Sequence, residues 1–268
     1  MNYKPISPLR FILFLLCCAN LAIAFDNSSK TYPATRKLLS QMNDRIVDGD
    51  KLATLFKIGD ERAQDLIQAL DDSNPEISLR AQIIIRYLDN DLAMSKMFEW
   101  YGKRKKSFIV GPVPSPLKEW DYQVINANYI DTPPSQWRGA EPYIYALALD
   151  DSARAKMLLN QLIESAGHLD ESTVVGRALK RAQSSQIKKS LPVEKDLARL
   201  VLNNAFFVSP IDQKYTSSRL LALSKAKDKA LVEVYINRGA LAEEWYHVVI
   251  RESGQDWKFV SISQVSTS

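Results

Sequence analysis

Three runs decide the fold: Leu231-Val232-Glu233-Val234-Tyr235-Ile236, Trp245-Tyr246-His247-Val248-Val249-Ile250-Arg251 and Trp257-Lys258-Phe259-Val260-Ser261-Ile262. In the first, Val232, Val234 and Ile236 alternate with Leu231, Glu233 and Tyr235. In the second, Tyr246, Val248 and Ile250 alternate with Trp245, His247, Val249 and Arg251. A period of two is the signature of a strand, and Ser253-Gly254-Gln255-Asp256 is a turn between the second and third runs. The spacing predicts three or four antiparallel strands between Arg219 and Val265. A helix opened by Pro192 and running to Phe206, with Leu197, Leu200, Val201 and Ala205 on one side, is expected to lie on one face of that sheet.

Upstream the period lengthens to that of a helix. Ala63, Leu66, Ile67 and Leu70 share one face, with Asp60 as a candidate cap. Asn74-Pro75-Glu76 places a capping amide, a first-position proline and an N-terminal carboxylate ahead of Ile77, Ala81, Ile84 and Leu88. The short turn 71–74 predicts that these two helices pack antiparallel. A third helix is expected from Asp91 to Tyr101, stopped by Gly102. Helices resume over 142–165, ended by Gly167, and over 171–184. The fold class expected is α+β: a mostly helical part over 31–186, then a helix and antiparallel meander over 191–268, with the boundary in the basic connector 186–191.

Residues 103–140 interrupt the pattern. Pro112, Pro114, Pro116, Pro133 and Pro134 leave no helical period, and Ser107 to Val110 and Tyr122 to Ile125 are expected as short strands. Trp120, Tyr122, Tyr129, Trp137 and Arg138 lie here; aromatic and arginine side chains dominate interface hot spots, so these five are the candidate partner-binding residues. The competing expectation is that the same rings pack down over the helices and close the core.

Two stretches carry a resemblance. Leu66 to Ile77, followed by Arg80-Ala81, resembles a HEAT-type helical repeat, in which two helices join through an Asp- and Pro-rich turn; the usual arginine falls nearer the proline, where Ser78 stands here. Ala146 to Ser152 echoes the turn once without the Asn-Pro pair, so the helical part is expected to be either HEAT-like or an irregular bundle. The closing hairpin, Trp245 through Gly254 to Ile262, resembles that of NTF2-like exported domains with a cystatin-like sheet, although the early strand those domains place between helices is not legible.

Residues 1–24 read as a secretory signal peptide. Lys4 and Arg10 form a basic start, Phe11 to Cys18 and Leu21 to Ile23 an apolar run, and Ala22-Ile23-Ala24 a small-residue cleavage site. The run to Phe25 is about 15 residues, short of the roughly 20 that span a bilayer. Cys18 follows Cys17 and Leu16 and so departs from a lipoprotein box. Cleavage after Ala24 removes both cysteines, which places a disulfide-free chain in the periplasm or secreted space, with no stable membrane insertion.

The 268 residues are 46% hydrophobic and 25% charged, the balance of a globular chain. The net charge of +4, about +2 without Lys4 and Arg10, argues against a nucleic-acid partner. Two cysteines and two histidines, His168 and His247, exclude structural zinc and a multi-His centre, and no phosphate-binding glycine loop is present; no metal and no cofactor are expected. His247 is expected on the polar, exposed side of its strand with Glu233 and Arg251, and His168 at a helix end. Asp71-Asp72, Asp150-Asp151 and Glu243-Glu244 are adjacent in sequence and point apart, and the acidic stretch Asn43 to Asp50 lacks calcium-loop spacing. With no catalytic residue identified, the function expected is non-catalytic binding of another exported or envelope protein. The alternatives are an envelope hydrolase using carboxylates from separate elements, and a small-ligand pocket in the C-terminal part.

Overall fold

The computed structural model describes residues 31–42, 49–104, 111–167, 172–184, 187–192, 194–239 and 243–267. The three alternating runs become β3 (Lys229–Asn237), β4 (Glu243–Ser253) and β5 (Asp256–Thr267), with β2 (Thr216–Leu223) ahead of them and β1 (Ser190–Pro192) earlier still. All pair antiparallel in the order β1-β5-β4-β3-β2, and the central register aligns Val232 with Val248 and Ile262, and Glu233 with His247 and Ser263. Gly254, at φ 68°, supplies the left-handed corner of the β4–β5 hairpin that a side chain would disfavour. The chain is α+β, as its periodicity predicts.

Tyr246 through Ile250 are all buried, so β4 has no solvent face. Successive side chains on a strand point to opposite faces. The Tyr246 ring lies 5.1 Å from Phe207, and Tyr145 of α7 (Glu141–Leu149) meets Phe206 and Phe207 edge-on. The next residue, His247, meets Tyr87 of α4 (Pro75–Leu88) at 5.7 Å on the other face. Helices therefore cover both faces, a correction to the one-face arrangement expected. The helix expected from Pro192 is corrected too: 190–192 is β1, and α10 (Leu197–Asn203) begins only after Asp196, whose carboxylate caps Arg199 N.

Asn74 caps α4 as its sequence predicts, accepting from Glu76 N at 2.9 Å, and Ile77, Ala81, Ile84 and Leu88 are buried. The preceding α3 (Ala63–Ala69) starts from a short 3-10 turn over 59–62, with Arg62 at its N-cap and no side-chain cap there; the Asp60 side chain expected as a cap lies outside what is described. Residues 31–40 form α1, which docks on α3 through Thr31 and Thr35, both bonded to the buried Asp65. The α2 helix (Gly49–Ile58) packs on β2, and α5 (Asp91–Arg104) runs through Gly102 rather than stopping there. One apolar cluster extends from Leu39 to Ile262.

The proline-rich segment is more ordered than its sequence suggests. Residues 122–125, expected as a strand, are helical within α6 (Glu119–Ile125), followed by a five-residue π turn to Ile130 and a 3-10 turn at Pro134–Gln136. Arg86 anchors the segment from inside: its Nη2 lies 3.1 Å from Asp121 Oδ1, its Nε donates to the Pro112 carbonyl, and both ion-pair side chains are fully buried. The 107–110 strand expectation lies outside the described residues. Helix α8 (Ala153–Ala166) ends at Gly167 as expected, and α9 (Val174–Ala182) is shorter at both ends than the helix predicted for 171–184.

Candidate interaction surface

The sheet has two edges, and they are treated differently. At β5 the edge is occupied: β1 pairs with 256–258, Ser115 N donates to Val260 O at 2.7 Å, and α7 packs alongside. At β2, among the described residues, no strand follows and no backbone hydrogen bond arrives from the outer side. The faces of β2 are taken by α2 on one side and α10 on the other, where Ser218 Oγ donates to Ala198 O at 2.9 Å. What β2 leaves open is its in-plane row of amide and carbonyl groups, the template on which an additional strand grows.

Apolar side chains gather at this edge. Ile211, at 76% exposure the most exposed of the large hydrophobics among the described residues, and Tyr215 lie in the lead-in to β2, and Leu220 is exposed on the strand itself. The register slips between Leu220 and Ala222, a bulge that absorbs Leu221 and so places two consecutive leucines on an alternating strand. At the hairpin end of β2 a cavity of about 260 Å³ is lined by Phe56, Ile58, Leu88 and Ala226, with Lys57, Lys225, Lys229, Glu61 and Asp228 on its wall.

A polar row runs inward from the edge. Arg219 of β2, Glu233 of β3, His247 of β4 and Ser263 of β5 are cross-strand neighbours in sequence of register. Arg219 Nε donates to Glu233 Oε1 at 2.7 Å, His247 Nε2 stands 3.6 Å from Glu233 Oε2, and Tyr87 Oη is 3.2 Å from His247 Nδ1. His247 and the Arg219 guanidinium hold the Glu233 carboxyl down to about 2, so it is ionised at neutral pH. His247 is 1% exposed, a correction to its expected place on a solvated face: Tyr87 roofs a polar row that, in the sequence, looks like a surface.

The five residues singled out from the sequence lie elsewhere. Tyr122, Tyr129 and Trp137 are buried. Tyr122 donates to Asp150 Oδ2 at 3.1 Å, Tyr129 to the Gly139 carbonyl at 3.2 Å, and Trp137 Nε1 to the Thr132 carbonyl at 3.0 Å. Trp120 is half-buried and stacks on Phe98 and Tyr101, and Arg138 is exposed. The rings thus sit as the core-closing expectation has them. Ile211, Tyr215 and Leu220 carry no signal along the sequence beyond the Leu220-Leu221 pair, which breaks the alternation.

The paired aspartates serve turns. Asp72 takes Tyr32, Arg36 and Asn74 N, and Asp150 takes Leu117 N, Ser152 N and Tyr122. A second cavity, of about 360 Å³, lies between Asp150-Asp151-Ser152 and the β4–β5 ends; of the three cations that line it, Lys189 bonds Asp151 at 2.7 Å and Arg251 bonds Asp89, and Lys258 is the third. Glu141 of α7 and Glu244 of β4 come from separate elements to one buried region. Burial pushes Glu141 up to about 8, whereas Arg238, at 2.7 Å, and Tyr246, at 2.8 Å, hold Glu244 below its ordinary value against burial. Among the described residues no group of His, Cys, Asp or Glu is arranged to hold a metal, and no helix is long and apolar enough to cross a membrane. His168, Asp44 and Asp48, and the 1–24 segment lie outside the described residues. No protein-family model, no curated protein and no solved structure matches the chain, so neither the HEAT-type nor the NTF2-like resemblance gains a relative.

Proposed function

We propose that the chain is an exported, non-catalytic protein that binds another exported or envelope protein, and that its contact is the open edge at β2. The observation that carries this reading is the contrast between the two sheet edges: one occupied by β1, Ser115 and α7, the other open among the described residues and bordered by exposed Ile211, Tyr215 and Leu220. An open edge is a template for strand addition, and the bulge and cations of β2 leave exposed Ile211, Tyr215 and Leu220 beside it as apolar area for a partner to bury. Export rests on the Lys4/Arg10, apolar and Ala22-Ile23-Ala24 pattern of the first 24 residues.

A second reading, hydrolysis by carboxylates from separate elements, draws on Glu141 and Glu244, whose environments drive their pKa values apart as an acid and a base require. Both are buried, and Glu244 is spent on Arg238 and Tyr246, so the binding reading is the better supported.

The test is a photo-crosslinking residue placed at Leu220, with Met157, exposed on α8, as the control. The expected result is a discrete adduct with a second protein from Leu220 and none from Met157. Absence of adducts from Leu220, Ile211 and Tyr215 alike, or equal yields from Met157, would refute the edge as the contact.

A further inference from the structure

Cations outnumber carboxylates along the open edge. Between Ile211 and Lys227 every exposed charged residue is a cation, Lys214, Arg219, Lys225 and Lys227; of these Arg219 pairs with Glu233 of β3, and Lys225 with Glu61 of the 3-10 turn over 59–62. The only carboxylate in that stretch, Asp212, is buried beneath Arg238, which bonds both its oxygens at 2.6 and 2.7 Å. Within the Arg219–Glu233 pair the guanidinium is the outward partner, its side chain 62% exposed against 14% for the glutamate. Lys214 stands over the Tyr215 ring at 4.7 Å, which keeps an ammonium at the head of the strand.

From these we infer that the segment β2 accepts is an extended, acidic strand of another protein, its carboxylates alternating with apolar side chains. Strand addition supplies affinity through main-chain hydrogen bonds and specificity through alternate side chains. Carboxylates on one phase of the incoming strand meet Arg219 and the lysines at either end. Apolar residues on the other phase have Leu220 beside them and, at the hairpin end, the 260 Å³ cavity lined by Phe56, Ile58, Leu88 and Ala226. A second copy of this chain fits less well, because antiparallel self-pairing of β2 sets the cation excess of one copy against that of the other, and like charges across an interface repel.

This inference rests on the reading of β2 as the contact edge, and the experiment separates the two. A ten-residue peptide of alternating Glu and Val is titrated into the full chain, with a Lys/Val peptide of the same length as the control, and amide exchange is followed over 216–223. The expected result is binding by the Glu/Val peptide roughly tenfold or more tighter than by the Lys/Val peptide, weakened several-fold between about 50 and 300 mM salt. Saturation should slow exchange within 216–223 roughly tenfold or more. Arg219→Glu, and separately Lys214→Glu in case the first disturbs the Glu233 pair, should each weaken the Glu/Val peptide several-fold. Equal binding of the two peptides, or binding with protection outside 216–223, overturns the acidic strand. So does concentration-dependent protection of 216–223 without peptide, which would give the edge to a second copy. If crosslinks form at Leu220 while the Glu/Val peptide fails, the contact edge stands and the acidic strand falls.

Discussion

Replacing Glu141 with glutamine should change the stability of the protein in a way that depends on pH with a defined sign. Glu141 opens α7 and is 6% exposed. Gln264 N donates to its carboxyl, while Oε1 has no hydrogen-bond partner among the described residues. Burial is the main cause that lifts its pKa to about 8 from an ordinary 4.5; the Gln264 amide and Arg181 oppose it, and Glu244 adds to it. Between 4.5 and 8 the folded chain holds a proton that the unfolded chain has released. The unfolding free energy therefore falls as pH rises through that window, by about 1.4 kcal/mol per unit. The loss reaches roughly 3 kcal/mol at pH 7 and levels off above pH 8. Glutamine keeps the acceptor for Gln264 and cannot ionise. Urea unfolding of both proteins at pH 4, 5.5, 7 and 8.5 isolates the effect, since every other group cancels in the difference. The variant should gain on the wild type by about 1.4 kcal/mol per unit from pH 4.5 upward, whatever constant offset the amide introduces. A difference that is flat from pH 4 to 8.5 would mean that Glu141 ionises normally, and the account of its burial would be wrong.

Glu233 carries the opposite sign: held down to about 2, it contributes stability that is complete above pH 4.5 and is lost as pH falls toward 2, so Glu233→Gln should lower the wild-type melting temperature at pH 7 and cease to matter in strong acid. Trp137→Ala should cost on the order of 3–5 kcal/mol in chemical denaturation, whereas exposed Arg138→Ala should stay within about 0.5 kcal/mol. Asp121→Asn leaves the Arg86 guanidinium buried without its counter-charge and should cost about 3–5 kcal/mol; a cost near zero would show that the Pro112 carbonyl suffices. Asn74→Ala should lose about 1 kcal/mol with the cap of α4.

The strands and the start of α4 were legible because their signals are local. Alternation over 229–262 and the Asn74-Pro75-Glu76 cap each specify a backbone within a few residues. The elements that escaped depend on distant partners. Helix α6 is only seven residues long, and its buried Asp121, Tyr122, Val124 and Ile125 show helical spacing only once Asp121, a polar residue in the sequence, is known to be buried against Arg86. Three residues of β1 have no period at all. The sequence places Glu233 and His247 on one strand face correctly, but cannot show that Tyr87, 160 residues away from His247, covers it. Strands β2 to β5 follow the chain in order; what the sequence does not show is that β1 returns to cover β5 and leaves β2 as the edge that is open among the described residues.

The Tyr87–His247 contact also sets a timetable. A chain made from its N-terminus has α2 and α4 in hand long before the strand they cover, and the 160 residues between the two rings take on the order of 10–30 s to synthesise. Through that interval Tyr87 lacks the His247 ring that it meets in the folded chain. Closure waits for β4 and β5, which emerge after every helix they meet, and long-range pairing of this kind is slow in itself. The helices are thus made first and held last, and the moment of folding is set by the strands that follow them.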